Sequence, residues 1–187
     1  MKQHDYYFWK KFFSLKEIKD LNKIAKLHPV LNFKDSPASA EAKNGLKNLN
    51  NVTAVRWEHI KKNLKDLNDK VVITNQERYK FSIDDNLDTN NVLFNVYKKG
   101  SFYEWHKDGS NNPYYDYKFT VLINSSEKKY KGGSFQIFTT GGEYTAPEFN
   151  SVGDVIMFKS DIVHRVLPVE EGTRNSISFF VTGNKFV

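Results

Sequence analysis

The sequence predicts a mainly β domain with N-terminal helices, a curved antiparallel double-sheet barrel with the helices on one face. Two observations predict it. Two stretches with helical spacing of apolar residues come first, and short period-two stretches fill the rest of the chain. The separators between those stretches are turn formers: Asn111-Asn112-Pro113, Asn124-Ser125-Ser126, Lys131-Gly132-Gly133, Thr140-Gly141-Gly142 and Glu170-Glu171-Gly172. With 187 residues, 39% of them hydrophobic and 15% aromatic, the chain reads as one domain, 1–187, with enough length for a real core. Within it, a helical support spans about 1–75 and the barrel about 79–183.

Taken in order, residues 5–13 mix aromatics with lysines and read as an incoming strand. Ser14-Leu15-Lys16-Glu17 has the form of a capping box, with Ser at the N-cap and Glu three residues on. The helix continues through Ile18, Leu21 and Ala25 and stops near His28-Pro29. Residues 32–52 lack a period and read as a loop, of a length that often covers a site. From Val52 a second helix is expected, because Trp57, Ile60, Leu64, Leu67 and Val71 form one apolar stripe with Lys and Asp opposite. His28 and His59 lie on or beside these helices and read as structural or exposed. Strands are then predicted at 79–83, 92–97, 117–123, 133–138, 154–159, 162–168 and 175–182.

Composition excludes several classes. Without cysteine there are no disulfides, thiolate-bound zinc or iron–sulfur clusters. No stretch reaches the ~18–20 apolar residues of a membrane span, and the first ten residues lack the pattern of a signal peptide. A cytoplasmic protein with no membrane partner is the expectation. The net charge of +6, from 28 Lys+Arg against 22 Asp+Glu, is spread over short clusters such as Lys10-Lys11, Lys61-Lys62, Lys98-Lys99 and Lys128-Lys129. Without a long basic run, a solvated face is the better reading than a nucleic-acid track.

The chemistry gathers around Tyr103-Glu104-Trp105-His106-Lys107-Asp108. Alternate residues of a strand face the same side, so His106 and Asp108 can converge on one point. His164, in a later β-rich run, is the candidate third ligand. Two histidines and one carboxylate with open positions describe the facial triad of non-haem Fe(II) oxygenases. On the preceding strand Asn95 and Tyr97 share a face, and Gly100 suits the turn that follows. Arg174, Ser176 and Ser178 share a face of the last strand, which with His164 nearby argues for a polar pocket holding an anion.

Asn95-x-Tyr97-x-x-Gly100-x-x-Tyr103-x-x-His106-x-Asp108 resembles the first iron motif of the 2-oxoglutarate/Fe(II) dioxygenases. Gly132-Gly133-Ser134-Phe135 resembles the Gly-Gly turn midway through that fold. Gly153-Asp154-Val155-Ile156-Met157-Phe158, His164-Arg165-Val166-x-Pro168-Val169 and Gly172-x-Arg174 resemble its second motif. The match is most similar to the prolyl 4-hydroxylase-like branch, especially its small microbial and phage members, including the PKHD-type hydroxylases. It covers about residues 90–183.

The resemblance implies a double-stranded β-helix, the jelly-roll core shared with cupins, and Fe(II) held by His106, Asp108 and His164. It implies that Arg174 grips the distal carboxylate of 2-oxoglutarate, with Tyr97 bonding the same group and Ser176 and Asn95 lining the cosubstrate site. O2 is the oxidant, and ascorbate is expected to support the iron. The implied reaction hydroxylates a prolyl or other aliphatic residue of a peptide or protein, with succinate and CO2 as coproducts. Candidates for a substrate rim are Tyr103, Trp105 and the loop 109–115, with Tyr114 and Tyr115. Two alternatives stay open: a nucleic-acid oxidative demethylase, and a cupin-like module that holds metal without turnover. The demethylases usually carry a second Arg at the place of Phe180, and a mere metal binder has no need of Arg174. Oligomeric state is not legible.

Overall fold

The computed structural model describes residues 5–31, 45–49, 51–84 and 91–185. The N-terminal part contains β1 (Tyr6–Trp9), α1 (Leu15–Lys26), β2 (Val30–Leu31), β3 (Lys47–Asn48), β4 (Asn51–Arg56), α2 (Trp57–Thr74) and a π turn at Asn75–Tyr79. There follow β5 (Asn91–Lys98), β6 (Phe102–His106), β7 (Tyr115–Asn124), β8 (Lys131–Gly132) and β9 (Phe135–Thr139). The last five strands are β10 (Gly142–Thr145), β11 (Val155–Lys159), β12 (His164–Val166), β13 (Val169–Glu171) and β14 (Thr173–Asn184).

Among the described residues these strands form a seven-stranded sheet in the order β1-β11-β7-β14-β5-β4-β2 and a five-stranded sheet in the order β10-β9-β12-β6-β3. A two-stranded ribbon, β13-β8, completes the set. From β5 onward the chain steps from one sheet to the other: β5, β7, β11 and β14 belong to the large sheet, while β6, β9 and β12 belong to the small one. That alternation is the double-stranded β-helix expected from the sequence, a jelly roll.

The pleat of the large sheet sorts its side chains into two cores. One face sends Val92, Phe94, Phe119, Val121, Ile123, Val155, Met157, Ile177, Phe179 and Val181 against the helices. There they meet Ile18 and Leu21 of α1 and the stripe Trp57, Ile60, Leu64, Leu67 and Val71 of α2. The other face sends Tyr97, Ile156 and Phe158 into the barrel, where they pack with Phe135, Ile137, Phe149 and Val166. The helices are therefore a buttress, and the barrel interior is left to hold polar groups. The capping box forms: Glu17 N donates to Ser14 Oγ at 3.3 Å, and Ser14 N donates to Glu17 Oε2 at 2.8 Å.

The structure corrects three expectations. Residues 51–56 are not the start of the second helix but strand β4, antiparallel to β5 from Asn51↔Val96 to Arg56↔Asn91. The β-branched Val52, Thr53 and Val55 favour extended backbone, and β5 supplies the partner. Residues 79–83 form no strand. The backbone of Phe81 is bonded instead by the Asn75 side chain, whose Nδ2 donates to Phe81 O at 2.9 Å and whose Oδ1 accepts from Phe81 N at 3.0 Å. The alternation read there is burial without a ladder, since Tyr79, Phe81 and Ile83 pack on the helical core. Third, the N-terminal part is no purely helical support, because β1, β2 and β4 extend the large sheet. Of the loop expected at 32–52, residues 32–44 and 50 lie outside the described residues, and Lys47–Asn48 is the edge strand beside β6. No described helix is long and apolar enough to cross a membrane.

The turn before β11 is fixed by Gly153. Its φ of 80° lies in the left-handed region, and an added Cβ would collide with the backbone carbonyl of Phe13. The same residue joins the barrel to the N-terminal segment, accepting from Phe13 N at 3.2 Å and donating to Asn124 O at 2.8 Å. Gly153→Ala is expected to lower unfolding free energy by at least about 2 kcal/mol, combining backbone strain with the clash. Urea denaturation measures this, and an unchanged midpoint would contradict the packing described.

Candidate active site

The polar face of the large sheet and the small sheet enclose a cavity of about 210 Å³, lined among others by Asn95, Tyr97, Tyr103, His106, Asp108, Thr120, His164, Arg174, Ser176 and Phe180. A larger cleft of about 720 Å³, walled by Lys128, Lys129, Thr145 and Asn150, holds none of these groups.

His106 ends β6 and His164 begins β12, and the two residues are paired in register. Their ligand atoms and a carboxylate oxygen of Asp108 all lie within 4.8 Å of one another. Each imidazole is held through its inner nitrogen. His106 Nδ1 lies 2.7 Å from Glu104 O, and His164 Nδ1 lies 2.9 Å from Ile162 O. A carbonyl only accepts, so both Nδ1 atoms carry hydrogen and each ring turns its Nε2 outward. Those Nε2 atoms meet Asp108: His106 Nε2 is 3.8 Å from Oδ1, and His164 Nε2 is 3.4 Å from Oδ2. Burial, and then the neighbouring His164, hold His106 down to about 4 against the pull of Asp108, so it is neutral at physiological pH. Two imidazole Nε2 atoms and a carboxylate converging at this range form a cluster that a divalent cation would satisfy. The set of two nitrogens and one oxygen fits Fe(II).

A bulge in β6 shapes this wall. His164 pairs with His106 but Val166 pairs with Tyr103, so two steps on β12 match three on β6. Tyr103 and His106 thereby share a face, and their rings stack with centroids 3.4 Å apart at 12°. Lys47 Nζ sits 4.3 Å over the far side of the Tyr103 ring. His164 is packed by Phe158, at 4.6 Å, and by Phe135, at 5.7 Å.

Across the cavity, Arg174 is 2% exposed. The ladder places it opposite Tyr97, and Ser176 opposite Asn95. Its Nη1 donates to Ser176 Oγ at 3.2 Å, and its guanidinium lies 4.9 Å over the Tyr97 ring. Among the described residues no carboxylate forms an ion pair with it. A buried cation of this kind calls for an anion, and a guanidinium fork matches a carboxylate. Burial pushes the Tyr97 hydroxyl above the ordinary tyrosine range, although Arg174 works the other way, so it stays a neutral donor beside the same space. Asn95 Nδ2 donates to Ser178 Oγ at 3.1 Å.

The sequence-predicted ligands and anion grip are thus brought together. The rim candidates divide. Tyr103 lines the cavity, whereas Trp105 lies outside it, under the Arg165 guanidinium at 4.3 Å and against Phe138 at 6.1 Å. Tyr114 is 83% exposed and Tyr115 opens β7, and neither lines the cavity. His28 and His59 stand 5.4 Å apart at the surface, away from the cluster. Sequence reading missed Thr120, Ser160 and Lys47. Thr120 alternates with the buried Phe119 and Val121, which marks its face, but nothing local marks its contact with Asp108.

A jelly roll with two histidines and one aspartate set for a divalent metal has the ligand set of the non-haem Fe(II) oxygenases. Residues 92–182 match the model of the 2OG-Fe(II) oxygenase superfamily. The chain is 33% identical over 97 residues to a PKHD-type hydroxylase of Janthinobacterium sp. (strain Marseille), a match covering 48% of this chain and 42% of that one. The chain thus spans less than half the length of this curated relative. Its fold is similar to a Pseudomonas putida prolyl-4-hydroxylase, with TM-score 0.72 and 18% identity over 98% of this chain and 94% of the other. It is also similar to a Trichoplax adhaerens prolyl hydroxylase in complex with a peptide fragment of the hypoxia inducible factor oxygen degradation domain. There the TM-score is 0.66 at 13% identity, over 95% of this chain and 83% of the other.

Gly133 makes the room that Arg174 occupies. Its φ is 63°, and an added Cβ would lie 2.9 Å from Arg174 Cδ. Arg174→Ala is expected to weaken 2-oxoglutarate binding by about 2–5 kcal/mol, as for one partner lost from a buried charge pair. Arg174→Lys should lose less, and Gly133→Ala should weaken binding about tenfold by displacing the guanidinium. Calorimetric titration of each metal-loaded variant checks the order; parental affinity in Arg174→Ala would place the anion elsewhere.

Proposed function

We propose that the protein is an Fe(II)- and 2-oxoglutarate-dependent dioxygenase that hydroxylates a prolyl or other aliphatic residue of a peptide or protein. The observation that carries this reading is the buried Arg174, without an ion-paired acid among the described residues, facing the same cavity as His106, Asp108 and His164. A metal-binding module without turnover has no use for that second anchor. The family match, the PKHD-type relative and the prolyl hydroxylase folds support the choice of reaction and of a peptide substrate.

His106, Asp108 and His164 would hold the iron. Bound with 2-oxoglutarate and O2, it supplies the oxidising power for hydroxylation, with succinate and CO2 leaving. The chain's own residues bind and orient. Arg174 takes the distal carboxylate of the cosubstrate by charge-assisted hydrogen bonds, and Tyr97 donates a further one. Ser176 keeps the guanidinium aimed, and Leu93, Leu122 and Val166 keep the walls apolar. Excluding water around the reacting centre protects it from side reactions. Positive charge is dispersed, and Phe180 stands where the repair dioxygenases carry an arginine, which favours a peptide over an oligonucleotide.

The test is a set of parallel reactions with Fe(II), 2-oxoglutarate and ascorbate, with products read by mass spectrometry. Proline-containing peptides are expected to stimulate succinate formation above the uncoupled rate and to gain one oxygen atom. His164→Ala should abolish both while the protein stays folded. Loss of methyl groups from an oligonucleotide, with no oxidised peptide, would overturn the substrate. A fully active His164→Ala variant would overturn the metal site.

A further inference from the structure

Asp108 lies beyond the end of β6, where no sheet ladder holds it. Two bonds from the large sheet and its following turn do so instead. Asp108 N donates to Ser160 O at 3.0 Å, and Thr120 Oγ1 donates to Asp108 Oδ2 at 2.7 Å. Thr120 is 1% exposed and Ser160 fully buried, and their hydroxyl oxygens stand 3.0 Å apart. A hydroxyl has one proton to give, and an ionised carboxylate only accepts. Thr120 therefore spends its proton on Asp108, and Ser160 must donate to Thr120. The result is a directed relay, Ser160 to Thr120 to Asp108, that fixes the carboxylate with Oδ2 facing His164 Nε2 and Oδ1 facing His106 Nε2.

We infer that Thr120, backed by Ser160, is a positioning residue that holds the Asp108 carboxylate in one pose toward the metal. Carboxylates bind ions through one oxygen or two, so the pose of the carboxylate decides how it meets the metal. Tying Oδ2 to Thr120 fixes that pose. Partners of this kind orient a ligand and sharpen affinity for the ion. The inference rests on the reading of His106, Asp108 and His164 as the metal ligands.

The test uses the whole protein, stripped of metal and titrated with Co(II), whose visible absorption reports its coordination, and then with 2-oxoglutarate. Thr120→Val keeps the shape and removes the hydroxyl; Thr120→Ser restores it. The valine variant is expected to bind Co(II) at least about tenfold more weakly and to show an altered Co(II) spectrum before cosubstrate is added. The serine variant should return both to the parent's values, a rescue that a merely structural threonine would not require of the spectrum. Ser160→Ala removes only the far end of the relay. It should show the same spectral change with a smaller loss, and it carries the test if Thr120→Val does not fold. Parental affinity and spectrum in Ser160→Ala and in any folded Thr120→Val would overturn the inference. A parent that binds no Co(II) would overturn the metal reading itself.

Discussion

Arg174 is a full positive charge inside the barrel, bonded to a serine hydroxyl and flanked by aromatic faces, with no ion-paired acid among the described residues. A charge in that position costs several kcal/mol unless something answers it. Much of the surrounding structure can be read as the means of tolerating it. Gly133 yields the space for its methylenes, and Tyr97 offers its ring. The large sheet turns its apolar residues the other way, onto the two helices. The site is thereby left with a standing demand for an anion, which the proposed dicarboxylic cosubstrate would meet.

The second demand is of opposite sign. Two imidazole Nε2 atoms and a carboxylate gather within 4.8 Å of one another, a set that a divalent cation would satisfy. One cavity thus holds an acceptor cluster and a donor fork, each incomplete alone. A molecule with an oxo-acid at one end and a carboxylate at the other satisfies both through a bound ion and Arg174. This pairing separates an oxygenase site from a simple metal-binding cupin.

Most of this was legible because it obeys the pleat. Period two in Arg174, Ser176 and Ser178, and in Asn95 and Tyr97, announced a polar interior face, and the ladder pairs those two strands as the alternation requires. The helix stripe from Trp57 and the capping box at Ser14 were equally local signals. What stayed hidden depends on contacts between distant segments. The strand at 51–56 reads as helix until β5 is there to pair with it, and the apparent strand at 79–83 loses its ladder to one asparagine side chain. Thr120 meets Asp108 only because the chain returns through the large sheet. The β6 bulge that lays Tyr103 on His106 breaks the period-two rule itself, and it leaves Trp105 outside the cavity.

The central claim is that Arg174 answers the far carboxylate of the molecule whose other end the metal holds. A cycle of ligand against protein tests it most directly. The affinities of 2-oxoglutarate and of 2-oxobutyrate, which lacks the distal carboxylate, are measured by calorimetry on the metal-loaded parent and on Arg174→Ala. The account predicts that removing the carboxylate weakens binding to the parent at least about a hundredfold, yet changes almost nothing once the guanidinium is gone, because the two losses describe one interaction. Additive losses, with 2-oxobutyrate discriminated as strongly by Arg174→Ala as by the parent, would contradict it.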